Sequence, residues 1–499
     1  MGIIIRQSVK ASVVTYAGVA LGAFSFLWLF PRFASEEQIG LYKLIQSLGL
    51  LLAMFVQFGA TGVVERFFPY FKDRARQHHG FLPFVLLYPL PGLLLFGVAW
   101  LLFRDFWLSL YAAKAPQVNA YFWWFVPLTV FLIYQGVLDG YARVHLRIVV
   151  PSLFREVGLR VAAIGLMLAF ATGLLPFSAV VVGYILGIGV GVVGLMLYLR
   201  NLGVWFVRFS GVRLSKPLLR QMASFSLVIV LGGTSSVVIS QIDSVMIGSL
   251  YGIKEVGVYA IAFFIGTVIE IPRRMISQIS IPLLAQAWKD DDLPKIAEIY
   301  RKASLNQMIV GMLLLLGIWA NSEAIFHLIP NGHLYRPGRY VILFIGLARL
   351  IDMTGGLSSE IITQSRYYAF TMWSSASLAG LLVVTNLVLI PRFGITGAAL
   401  ATALSVLTYV LIKFLFIRWR FGLQPFTWRT LFVPTLAGAV WLVAGLVPPP
   451  PPDLPGTLLN VALRSVVITV LFLGPLLLLR ISPDANGALQ AVWSNLRRR

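Results

Sequence analysis

No cysteine occurs in the 499 residues, so disulfides, thiolate metal sites, iron–sulfur clusters and a cysteine nucleophile are excluded. Charge is scarce: Asp, Glu, Lys and Arg make up 12% of the chain, against about a quarter in an ordinary soluble domain. Acid is scarcer than base, 19 residues against 40, for a formal net charge of +21. The five histidines, His78, His79, His145, His327 and His333, have no metal-helix spacing with a carboxylate, so neither a metal nor another cofactor is expected. Also missing are a Gly-rich loop ending in Gly-Lys-Ser/Thr and a Gly-x-Ser-x-Gly elbow; ATP hydrolysis through the usual loop is excluded and an enzyme is not expected.

What the chain has instead is 59% hydrophobic residues gathered into long runs. Its basic residues lie between these runs and form no single stripe interleaved with aromatics, so the surplus charge does not point to nucleic acid. Fourteen apolar stretches are long enough to cross a bilayer as helices: 11–30, 39–64, 81–103, 119–140, 149–172, 177–199, 222–242, 256–278, 303–328, 340–363, 367–390, 394–417, 430–447 and 457–479. With alternate loops on opposite sides, 30 of the 40 Lys and Arg fall on the side that holds both termini. Cytoplasmic loops retain these residues, so both termini are expected in the cytoplasm, and most of the +21 encodes orientation. The first stretch, after Arg6 and Lys10, reads as an uncleaved helix. The longest loops are expected at Arg200–Arg220, an amphipathic surface segment, and Trp288–Lys302, while Pro448–Pro452 reads as a stiff turn.

Ile39-Gly40-Leu41-Tyr42 after the first span and Val256-Gly257-Val258-Tyr259 after the seventh suggest a repeat at a six-span offset, with Pro69 and Pro282 following. The even offset implies two copies inserted the same way. The expected organisation is an all-α polytopic membrane protein: a six-helix lobe at 1–200, a linker at 201–220, a second six-helix lobe at 221–420, and two further helices with a tail at 421–499. Gly189–Gly194 matches a dinucleotide fingerprint, but it lies inside a span, where Gly183, Gly187 and Gly191 form a small-residue packing face.

Charges inside spans are expensive, costing roughly 2.5–3.5 kcal/mol each at a helix centre, and so tend to face a cavity or a partner. Near the midplane lie Arg160, Glu270, Arg273, Arg274, Arg349 and Asp352; nearer the cytoplasmic end lie Glu65, Arg66, Asp139, Arg143, Glu156 and Glu360. Asp139, Arg143 and Glu156 are expected to snorkel to the interface. Arg349 and Asp352, at i and i+3, either neutralise each other or act in function. Arginine's planar fork suits phosphate and pyrophosphate, which makes Arg66, Arg160, Arg273, Arg274 and Arg349 candidate contacts to an anionic substrate. Glu270, Asp352 and Glu65 are candidates for binding a coupling proton or sodium ion.

Two segments carry a family resemblance. Ser240–Gly248 with Lys254–Ala260 resembles the helix 7 to helix 8 signature of polysaccharide exporters and oligosaccharide flippases, and Pro391–Thr402 resembles the helix 11 to helix 12 turn of the multidrug/oligosaccharidyl-lipid/polysaccharide (MOP) superfamily. Resemblance to a Wzx-type flippase implies transfer of an undecaprenyl-pyrophosphate-linked oligosaccharide across the bacterial inner membrane by alternating access. It further implies partnership with a polysaccharide polymerase and other envelope-assembly proteins. The related lipid II flippases carry arginines inside helix 1, whereas none stands here between Lys10 and Arg32, which favours an O-antigen, capsule or exopolysaccharide unit. A lipid II flippase or a multidrug exporter of the superfamily and a non-transporting envelope-assembly scaffold are the alternatives.

Overall fold

A computed structural model describes residues 2–73, 76–207, 215–449, 451, 453–484 and 486–487. Among them every regular element is helical. Ten helices are long and apolar enough to cross a membrane, or eleven if the pair Arg336–Thr354 and Ser358–Gln364, bent by 45°, is one span. All fourteen expected stretches fall on helix, and the remainder differ from simple spans for local reasons. Stretch 149–172 carries Arg155, Glu156 and Arg160 and contains a wide π-helical turn at Leu153–Gly158; Trp428–Ala444 has only 17 residues.

Stretches 367–390 and 394–417 form one 54-residue helical run, Tyr368–Phe421, broken at Gly394 with φ 57° and ψ −135°. At about 1.5 Å per residue the unbroken run would be far longer than a bilayer is thick. The break folds it back on itself: Thr385 and Ser405 hydroxyls lie 3.1 Å apart, and Ser375 and Tyr409 hydroxyls 3.3 Å. A Cβ on Gly397 would stand 2.1 Å from the Leu389 carbonyl oxygen. These two glycines are what Pro391–Thr402 requires. Gly394→Ala is expected to cost about 1–3 kcal/mol through backbone strain, read as a lower unfolding temperature of the purified protein.

The expected loop Trp288–Lys302 is nearly all helix: Ile271–Lys289 and Leu293–Ala320 are separated only by Asp290–Asp292. Asp292 caps the second helix by accepting from Lys295 N–H at 2.9 Å, and Lys295–Glu298–Lys302 ion pairs support its first turns. Likewise Leu218, Leu219 and Arg220 begin the 35-residue helix Lys216–Leu250, capped by Ser215, so the amphipathic segment is shorter than expected; 208–214 lie outside the described residues. So do Pro450 and Pro452 of the proline turn.

Contacts divide the chain into two units, Met1–Gly257 and Val258–Arg499. Helix Lys216–Leu250 packs along Glu36–Val56, with Gly248 against Leu44, and therefore belongs to the first unit even though the sequence places it at the start of a second lobe. That unit is centred on Ile39, Leu44, Ile45, Phe67, Phe81 and Tyr141, all buried. In the second, Met308, Ile309, Val433, Val440, Ile468 and Phe472 join helices Leu293–Ala320, Trp428–Ala444 and Leu454–Leu478. Lipid is as apolar as leucine, so close packing drives helix association. Gly183 accordingly receives Leu166, Gly189 receives Phe131 and Gly194 receives Phe154, which is the role of the glycine-rich stretch.

Candidate functional site

The second unit gathers a charged network on helical segments 253–289, 339–364 and 368–421. Pro272 enters helix Ile271–Lys289 at its first turn after a 3₁₀ turn at Val268–Glu270, so the chain repacks locally where Glu270, Arg273 and Arg274 project. Arg273 Nη1 lies 3.2 Å from Asp352 Oδ2, and its Nη2 is 3.9 Å from Glu360 Oε1, which also accepts from Ser277 Oγ at 2.8 Å. Glu270 is held by Arg349 at 3.1 Å and Arg274 at 3.5 Å. Lys413, its side chain 1% exposed, donates to Ser359 Oγ at 2.9 Å, stands 3.9 Å from Asp352 and lies 3.8 Å over the Tyr409 ring.

Four cations therefore meet three carboxylates, leaving one positive charge in excess. Arg273 Nε, Arg349 Nε and Glu360 Oε2 are buried without a hydrogen-bond partner. Such groups are costly unless something satisfies them. Arg274, with 71% of its side chain exposed, is the accessible end of the network.

Five candidates from the sequence, Arg273, Arg274, Arg349, Glu270 and Asp352, thus share one site. Arg349 and Asp352 are not each other's partners: Arg349 pairs with Glu270, whereas Arg273 and Lys413 flank Asp352. Glu360, expected nearer the interface, joins them. Lys413 is hard to single out from the sequence because it stands at the end of its stretch, among the flanking basic residues; a lone lysine amid Tyr409–Phe416 is the available signal.

The other three candidates lie in the first unit, in separate places. Arg66 is exposed and stacks on Phe225, 4.3 Å from the ring centroid. Glu65 pairs with Arg143 at 2.7 Å. Arg160 donates to Glu156 at 2.8 Å and lies against Gly18 and Gly22, where any Cβ would collide with its guanidinium. Asp139 does not snorkel: it is 3% exposed and held by Arg155 at 2.7 Å. Arg155 also binds Glu156 at 3.1 Å, but with 43% of its side chain exposed it does so at the surface of the bundle. Lys43, a further charge within a span, donates to Gln241 Oε1 at 3.1 Å, which Ser47 also reaches at 2.9 Å. Gln241 belongs to the Ser240–Gly248 signature, so part of that motif positions a half-buried lysine. Among the described residues no group of three or more His, Asp or Glu is arranged to hold a metal ion.

A family model described as polysaccharide biosynthesis protein matches residues 6–288. No curated protein sequence matches significantly. Among solved structures, the lipid II flippase MurJ in an inward closed conformation superposes with a TM-score of 0.72 at 12% identity, covering 94% of this chain and 99% of that one. An inward-facing MATE-family multidrug resistance transporter of the MOP superfamily gives 0.61 at 15% identity, covering 84% and 98%. A MOP superfamily transporter from Pyrococcus furiosus gives 0.55 at 13% identity, covering 84% and 95%. At these identities the likeness concerns the fold, which is that of MOP-superfamily membrane transporters.

Proposed function

Because the chain belongs to the polysaccharide biosynthesis protein family, as a multi-pass membrane protein with a transporter fold, we propose that it is a flippase for a polyprenyl-pyrophosphate-linked oligosaccharide. The cargo is an O-antigen, capsule or exopolysaccharide unit carried across the bacterial inner membrane. The chain crosses fourteen times with both termini in the cytoplasm and moves its cargo by alternating access, without covalent chemistry.

One observation carries this reading: the network of Arg273, Arg274, Arg349 and Lys413 exceeds its carboxylates by one charge while buried guanidinium N–H groups remain unpartnered. A pyrophosphate supplies the acceptors such donors need. Organic cations, the cargo of a multidrug exporter, would be repelled by the same excess. The absence of arginine between Lys10 and Arg32 continues to favour a glycan carrier over lipid II. Asp352 and Glu270 are proposed to couple transport to a proton or sodium gradient, and Glu360 joins them through its unpartnered oxygen. A polysaccharide polymerase is the expected downstream partner.

Reversing Arg273 and Arg274 to glutamate turns four cations against three anions into two against five. Surface glycan is expected to disappear although the variant reaches the membrane at normal levels. Full retention of glycan would refute the head-group role.

A further inference from the structure

A cleft of about 420 Å³ opens in the second unit where helices Leu293–Ala320 and Trp428–Ala444 end and Leu454–Leu478 begins. Trp319, Glu323, Arg339, Trp441, Leu442 and Arg464 line it. Arg464, only 9% exposed, fastens the wall by donating to the carbonyls of Ala320, Val447 and Pro448. Arg339 lies over the Trp319 ring at 4.8 Å and donates to Glu323 at 2.9 Å, and Arg336 pairs with the other oxygen of Glu323 at 3.0 Å. Of the lining groups, Arg339 and Arg464 are cationic and Glu323 alone is anionic, which leaves one positive charge in the cleft, with Arg336 beside it on Glu323. On the expected topology this is the side with only ten of the forty basic residues.

We propose that this cleft binds the phosphate headgroup of an anionic glycerophospholipid. Basic pockets between membrane helices recognise such headgroups, and tryptophans settle at the same depth of the bilayer. The occupant is a lipid and not a free anion because the rim is apolar and open: Trp441 is 49% exposed, Leu442 66% and Leu446 81%, a surface for acyl chains. The charge surplus selects an anionic over a zwitterionic headgroup.

The test uses the purified full-length protein, native mass spectrometry and three probes: phosphatidylglycerol, phosphatidylcholine and undecaprenyl phosphate. Phosphatidylglycerol is expected to bind most tightly; Arg339→Gln is expected to weaken it about tenfold, the worth of one charge-assisted contact, and Trp441→Ala to weaken it through lost apolar contact with the acyl chains. Both variants leave the Arg464 clamp intact. Equal retention of phosphatidylcholine would overturn the proposal, as would unchanged binding in both variants. Displacement by equimolar undecaprenyl phosphate would assign the cleft to the carrier lipid and overturn the phospholipid assignment.

Discussion

Replacing Lys413 with methionine is expected to lower transport at least about tenfold, or ~1.4 kcal/mol, while leaving the amount of membrane-inserted protein nearly unchanged. Methionine is at home in an apolar helix, and Asp352 keeps Arg273 at 3.2 Å, so folding loses little. Function loses the cation that makes Arg273 releasable. For Arg273 to turn to a pyrophosphate, Asp352 must not be left alone, since an uncompensated buried charge costs about 3–5 kcal/mol. Lys413, fixed by Ser359 and Tyr409 at 3.9 Å from that carboxylate, supplies the standing compensation, on the order of 4 kcal/mol at an effective dielectric of 20. Without it the network is neutral and Arg273 stays with Asp352. Adding Asp352→Asn to Lys413→Met restores one excess positive charge but removes a coupling carboxylate, so the double variant is expected to regain binding of the pyrophosphate-bearing carrier without regaining gradient-driven transport. Surface glycan per unit of inserted protein measures the single variant, and retention of polyprenyl pyrophosphate by the purified protein measures both; a double variant that binds no better than Lys413→Met would count against charge balance.

The second large effect is structural. Gly257→Ala is expected to abolish most folded protein, at a cost of about 3 kcal/mol or more from overpacking. A Cβ there would stand 2.1 Å from the Glu36 carbonyl oxygen, and one on Gly40 would stand 1.9 Å from the Ile253 carbonyl oxygen. Both obstacles are backbone, which cannot rotate away as a side-chain tip can. Gly97→Ala, where nothing lies within 4 Å, is the control expected to fold normally. Fluorescence-monitored gel filtration of detergent extracts distinguishes the two outcomes. The pair has a further interest: Gly40 and Gly257 are the positions that the sequence repeat matches to each other, and they pack against one another.

Several features are legible in the amino-acid sequence alone. Apolar runs mark the helices because lipid rewards such runs irrespective of partners. Gly394 sits inside a recognisable turn because only a residue without Cβ adopts its backbone geometry. Arginines and carboxylates within the runs stand out by their cost in lipid. Pairing is what the sequence conceals. Arg349 and Asp352 share a helix face and look like a pair, yet each finds its partner across helices. Asp139 resembles an interfacial residue because its helix ends nearby, but Arg155, sixteen residues on, buries it. The loop expected around Asp290–Asp292 is too long because charged residues there support helix through caps and i,i+4 pairs as readily as they mark a loop.

Composition and residue order establish the solvent and the secondary structure: a helical chain living in lipid, with a small set of charges that must be accounted for. Which of those charges meet is set by how the helices pack. Arg273, Asp352, Glu360 and Lys413 come from helical segments up to 140 residues apart, and in helices apolar on nearly every face no periodicity reveals which side turns toward which neighbour. That choice is made by close packing of whole helices, a property of shape that no single segment carries.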